Sequence, residues 1–227
     1  MNLLIGVLFL AGAHAATLVY RGEARVGGDL VYRELHSVTT DDVGQVLRSE
    51  TVYADPAGAE LGRLVNDYRT ALPLPEHAME DRRARNRHGV RYERGRPVMF
   101  NRDGDAEETK ALNPADYPAA VLVGGQGLHY YLVANLEAVV TKRELPLKFV
   151  IPGRLDVYDF HLRVTAATLE RVDFEIEIDN WLLKLFAPKL ALSYDRKLRR
   201  LQTYRGLSNL LDARKKMMNV EIKYRYD

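Results

Sequence analysis

The sequence predicts a mainly β fold with one long helix, an antiparallel curved sheet, half-barrel or barrel, wrapped around that helix. Three observations carry this expectation. Residues alternate in the two-residue period of strands over most of positions 17–226, turn chemistry interrupts the alternation at hairpin spacing, and a single stretch repeats at three and four residues instead. About ten or more strands in one sheet must curl or close, because wide twisted sheets do not stay flat. The apolar stripe of the helix then has the concave face to fill.

Residues 17–26 form the first predicted strand, and Gly27-Gly28-Asp29 turns the chain into its partner at 30–39. Residues 45–54 follow and end at Asp55-Pro56-Ala57-Gly58, where Pro presets φ and Gly accepts positive φ. The chain returns over 60–70. Residues 73–96 are less regular, with short strand-like pieces at 90–93 and 97–101. Residues 103–118 are polar and contain Pro, so they read as a loop with one short helical turn. After Gly124-Gly125-Gln126-Gly127, the residues Leu128, Tyr131, Leu132, Leu136, Val139 and Val140 fall on one helical face, which predicts a helix over about 127–142. Strands resume at 147–151, 154–165 and 169–178. The last of these alternates Val172, Phe174, Ile176 and Ile178 with Asp173, Glu175, Glu177 and Asp179, one dry face and one wet. Apolar residues 181–186, including Trp181 and Phe186, precede final strands at 189–195, 199–205 and 219–226.

The first fifteen residues, MNLLIGVLFLAGAHA, read as a secretory signal peptide: an apolar run from Leu3 to Ala13, then Ala13-His14-Ala15, the small-x-small pattern cleaved before Ala16. The run is too short for a bilayer span, which needs roughly 20 apolar residues. Cleavage after Ala15 leaves one expected β-rich domain over 16–227. With no Cys in the chain there is no lipobox, disulfide or thiol chemistry, and the combination of export and cysteine-free stability fits a periplasm. A net charge of +2, from 33 basic and 31 acidic residues, gives no global field for nucleic acid. The composition, 47% hydrophobic and 28% charged, is that of a folded domain rather than a disordered one.

Tyr32, Glu34 and His36 lie at i, i+2 and i+4, so a strand puts all three on one face. A Glu beside a His has the chemistry to share a proton or bind a metal, but zinc needs three or four ligands, and a solvent-facing or rim strand is the favoured reading. No metal or cofactor is expected. The Ser residues lack a G-x-S-x-G context, which argues against a serine triad. Gly124 to Gly127 before a helix would suit a phosphate, yet the segment matches neither a P-loop nor G-x-G-x-x-G, and a turn admitting the helix to the sheet's hollow is the preferred account. Arg82, Arg83, Arg85 and Arg87 form a basic patch for anionic lipid or a protein partner, or a solvated face.

The order Tyr32-x-Glu34-x-His36, Tyr53-x-Asp55-Pro56-x-Gly58, the Gly-Gly-x-Gly helix, Asp179-x-Trp181-Leu182-Leu183-x-Leu185-Phe186, Tyr194-Asp195 and Leu201-x-x-Tyr204-x-Gly206-Leu207-Ser208-Asn209 resembles an uncharacterised family of exported proteobacterial proteins. At fold level, a sheet around one helix behind a signal peptide is similar to the LolA/LolB-like lipoprotein carriers, half-barrels that hold acyl chains between sheet and helix. That resemblance carries over no individual acyl-contacting residue; the predicted hollow and the helix stripe point to a carrier of lipid or another apolar ligand, with Leu128, Tyr131, Leu132, Leu136, Trp181 and Phe186 as candidate wall residues. The rival expectation is an envelope-assembly protein with a packed core and a protein partner. A hydrolase or metal site near Glu34 and His36 comes third, so a non-enzymatic role is expected.

Overall fold

The computed structural model describes residues 16–118, 120–179 and 189–226. The proposed signal peptide, Trp181 and Phe186 lie outside the described residues. Alternation of side chains builds strands β1 (Ala16–Val26), β2 (Asp29–Thr40), β3 (Val46–Ala54), β4 (Glu60–Asp67), β5 (Glu76–Asp81), β6 (Asn86–Glu93), β7 (Arg96–Asp103) and β8 (Ala106–Ala111). After β9 (Val121–Val123), helix α1 (Gly127–Lys142) interrupts the sheet. The chain continues as β10 (Glu144–Ile151), β11 (Asp156–Ala167), β12 (Arg171–Ile178), β13 (Leu190–Asp195), β14 (Arg200–Leu211) and β15 (Met217–Tyr226).

All fifteen strands join one sheet in the order β8 to β1, then β15 back to β9. The chain starts in the middle, meanders outward to β8, crosses to the other edge at β9 and meanders back, so that β1 and β15 pair at the centre. Every pairing is antiparallel except β9 with β10, the two strands on either side of α1. That exception is forced by topology, since parallel neighbours need a crossover and the helix supplies it. The sheet is curved and unclosed, with β8 and β9 as its two edges.

The curl brings distant strands together through side chains. Leu74, Val90, Met99 and Leu112 from the β8 side pack on Val150 from β10. Asn101 donates to the Gly153 carbonyl at 3.3 Å, and Lys110 lies 3.6 Å from Asp156. Further along, β14 leaves its register with β15 between Leu207 and Leu211 and turns inward. There the Leu211 N–H donates to Asp81 Oδ2 at 3.2 Å, and Arg83 donates to the Leu211 carbonyl.

Helix α1 has the predicted bounds. Its residues Leu132, Leu136 and Val139 are buried in a continuous apolar layer with Leu145, Leu147, Leu162, Phe174, Ile176 and Leu192. This layer covers β9 to β14. The concave face of β1 to β5 is lined differently: beside Ala24, Val38, Leu64 and Met79 it buries tyrosines and polar side chains. Only the first turn of α1 reaches that half, where Tyr130 packs with Tyr20, Val38 and Tyr68.

Three local readings need correction. Residues 106–111 are a strand, β8, although every residue in it is exposed and polar residues dominate; at a sheet edge the backbone ladder to β7 suffices without a buried face. Residues 76–81, placed in an irregular segment, form β5, because neighbours β4 and β6 supply its ladder. Residues 121–123 form β9, too short to show a period but extended by pairing with β10.

Candidate functional site

Tyr32, Glu34, His36 and Val38 share one face of β2, as their spacing requires, and that face points inward. The expectation of a solvent-facing or rim strand is therefore wrong: Glu34 is 5% exposed and His36 is 3% exposed. Curling of the sheet turns the polar parity of β2 to β4 inside. Ser49 and Thr51 on β3 and Asn66 on β4 are buried beside them.

These groups form one connected chain. Asn66 Nδ2 donates to Ser49 Oγ at 3.1 Å, and Ser49 Oγ donates to Gln126 Oε1 at 2.9 Å. Gln126 Nε2 donates to Thr51 Oγ1 at 2.9 Å; Thr51 Oγ1 lies 2.9 Å from His36 Nδ1, and His36 Nε2 lies 2.8 Å from Glu34 Oε2. A hydroxyl has one proton to give. Ser49 spends its proton on Gln126, so Tyr68, 2.9 Å away, donates to Ser49. Thr51 accepts from Gln126 and pairs with His36 Nδ1. His36 is thereby held between Thr51 and Glu34, one ring nitrogen to each.

Gln126, the residue before α1, is the hub of this chain. Its backbone N–H donates to Asn66 Oδ1 at 3.1 Å, while its side chain bridges β3 rather than capping its own helix. Gly127 seats the helix: a Cβ there would lie 2.0 Å from the Pro73 carbonyl oxygen. The backbone N–H groups of Gly124, Gln126 and Gly127 already donate to Pro73, Asn66 and Gly124. They are committed within the fold, which removes the case for a phosphate cradle.

Beside Glu34 lies a cavity of about 200 Å³ between the first turn of α1 and the inward turn of β14. Its polar end has Glu34, His36 and the rings of Tyr20, Tyr32, Tyr53, Tyr204 and Tyr224. Its other walls are Leu128, Phe149, Ile176, Leu190, Leu192 and Leu201. The inward turn fixes the rings by their hydroxyls. Ser208 Oγ donates to Tyr32 Oη at 3.0 Å, Asn209 Nδ2 donates to Tyr53 Oη at 2.9 Å, and Tyr204 Oη donates to the Leu207 carbonyl at 2.7 Å. Burial first, and the Glu34 charge second, push the phenols of Tyr32, Tyr53, Tyr204 and Tyr224 well above their ordinary range. They stay neutral at physiological pH.

On the helix side, His129 Nδ1 lies 2.9 Å from Tyr194 Oη, and the two rings stack at 5.7 Å. Burial, then the neighbouring His36, lower the His129 pKa to about 3. His77, behind the same turn, is lowered to about 4 by burial.

Comparison with protein-family models, with curated proteins and with solved structures found no match to this chain. The site is accordingly read from its own geometry.

Of the candidate wall residues, Leu128 lines the cavity; Leu132 and Leu136 are buried in the packed layer under the helix, and Tyr131 packs against that layer. Glu34 and His36 are brought together and face the cavity. The arginine patch lies elsewhere, around the turn between β5 and β6. Arg82 pairs with Glu60 at 3.0 Å, Arg83 binds the Leu211 carbonyl, and Arg87 stacks over Phe100 at 5.7 Å, while Arg85 occupies a positive φ of 54°. Among the described residues no group of three or more His, Cys, Asp or Glu could hold a metal ion. Sequence reasoning missed Ser49, Thr51, Tyr53, Asn66, Tyr204 and Tyr224. The signal was present at Ser49, Thr51 and Tyr53, which alternate on β3 in register with His36 and Glu34.

Proposed function

We propose that this chain is an exported, periplasmic, non-enzymatic binding protein that holds an apolar ligand, or the apolar part of a lipid, between its curved sheet and its helix. The cavity of about 200 Å³ carries the reading. It lies between two packed apolar clusters. Phe149, Ile176, Leu190, Leu192 and Leu201 give it an apolar wall, as in ligand pockets, and a few polar groups converge at the other end. Its volume supports a short chain or a single ring system, not a whole diacyl lipid.

The polar chain argues for binding rather than turnover. Every hydroxyl and amide in it has a neighbour within hydrogen-bond distance, which rigidifies the wall. The test is native mass spectrometry of the protein purified from a periplasmic fraction, followed by thermal melts with short-chain alcohols. Bound small molecules, or a rise in melting temperature with alcohol concentration, are expected. A protein that carries nothing and gains no stability from any apolar compound refutes the reading. Export is tested separately by N-terminal sequencing of that material, with Ala16 expected first.

A further inference from the structure

We propose that the cavity selects a hydroxyl: an alcohol whose oxygen accepts from the phenols of Tyr32 and Tyr53 and whose proton goes to Glu34, while its hydrocarbon body lies along the apolar wall. The inference deepens the binding reading above and rests on it.

The first ground is what the fold leaves unpaired around the cavity. Tyr32 Oη accepts from Ser208 Oγ at 3.0 Å, and Tyr53 Oη accepts from Asn209 Nδ2 at 2.9 Å. Each bond uses a lone pair of the phenol and leaves its proton to give. Among the described residues neither proton has an acceptor, although both side chains are 1% exposed. Glu34, 5% exposed, is met by His36 Nε2 at Oε2, and among the described residues Oε1 has no hydrogen bond. Oε1 stays an acceptor whichever of Glu34 and His36 carries the proton between them. Two donors and one acceptor are therefore left over. A hydroxyl is their complement, with two lone pairs and one proton. Buried polar groups without partners are costly, and a ligand that pairs all three removes that cost.

The second ground is where these groups stand. Tyr32 precedes Glu34 by two residues on the inward face of β2, and Tyr53 is the partner of Glu34 in the β2–β3 register. Ser208 and Asn209, consecutive on the inward turn of β14, hold the two phenols. All three side chains line the same cavity, and Phe149, Ile176, Leu190 and Leu192 give it the surface for a hydrocarbon body. Other head groups match less of the set. An ammonium only donates, so both phenol protons stay unpaired; an ether or ketone only accepts, so Glu34 Oε1 stays bare.

Isothermal titration of the purified protein at neutral pH with 1-hexanol, methyl pentyl ether and n-hexylamine tests this. Hexanol and the ether are isomers that differ in the proton they can give. Hexanol is expected to bind about tenfold more tightly than the ether, and more tightly than the amine. Tyr53→Phe keeps the ring and removes one donor, so it is expected to weaken hexanol and the ether alike by about three- to tenfold and to leave the amine within about twofold. Equal binding of hexanol and the ether by the native protein overturns the hydroxyl inference alone. So does an amine that binds more tightly than hexanol, or a Tyr53→Phe protein that binds hexanol as the native one does. Binding of none of the three overturns the cavity reading as well. Tyr32→Phe serves the same purpose if Tyr53→Phe does not fold, and if neither folds the native hexanol-to-ether ratio decides by itself.

Discussion

Replacing Gln126 by Ala removes the hub of the buried polar chain while leaving its backbone bond to Asn66. Two side-chain hydrogen bonds of good length disappear, one from Ser49 Oγ and one to Thr51 Oγ1, both 2.9 Å. Each contributes about 1 kcal/mol net, and stranding the Ser49 hydroxyl, 1% exposed, adds about 1–3 kcal/mol for an unpaired buried donor. The expected loss is therefore about 3–5 kcal/mol in urea unfolding, with the slope against denaturant unchanged. Coupling is the sharper readout. Thr51→Val removes the next link, so the double variant should lose less than the sum of the singles by about 1 kcal/mol or more. A loss under about 0.5 kcal/mol for Gln126→Ala, or strict additivity with Thr51→Val, would show that the chain does not run through this amide.

Gly127→Ala sets helix propensity against packing: Ala gains about 1 kcal/mol in a helix, but its Cβ would stand 2.0 Å from the Pro73 carbonyl, so net destabilisation in the same urea assay is expected. A gain in stability would mean that α1 is not seated on residues 73–75. For His77, burial lowers the folded pKa to about 4 against 6.5 in an exposed ring. The unfolded state binds the proton first, so the stabilising contribution is complete above about pH 6.5 and fades as pH falls toward 4, by up to about 3 kcal/mol. His77→Gln should flatten that part of the pH profile, and an unchanged slope between pH 6.5 and 4 would remove His77 as its source. Absorbance titration at 295 nm should find Tyr20, Tyr53, Tyr68, Tyr194 and Tyr224 silent up to the pH of alkaline unfolding, because burial raises each of them well above its ordinary range. Full ionisation of all 13 tyrosines near pH 10 in the folded protein would contradict the buried tyrosine cluster.

What the sequence determined by itself is local and periodic. The helix at 127–142 follows from spacing alone, because residues three and four apart share a helical face whatever they pack against. The strand at 171–178 follows from alternation, and its dry face is the buried one in the folded chain. Turns at Gly27-Gly28 and at residues 55–58 follow from residues that accept the backbone angles required there. Strands without such a signature were invisible: β8 is polar on both faces and β9 has three residues, so each exists because a neighbour offers a ladder.

Only the tertiary structure decided which face of each strand is inside. Alternation assigns Tyr32, Glu34 and His36 to one side of β2 but carries no sign, and polarity argued for water. The curl of the sheet reversed that choice, since it places this face opposite Gln126 and the inward turn at residues 207–211, where Gln126 reaches Thr51, Ser208 reaches Tyr32 and Asn209 reaches Tyr53 from far away in sequence. Burial of Glu34 is thus a property of the sheet's curl, not of the YRELH segment, and so is the cavity beside it.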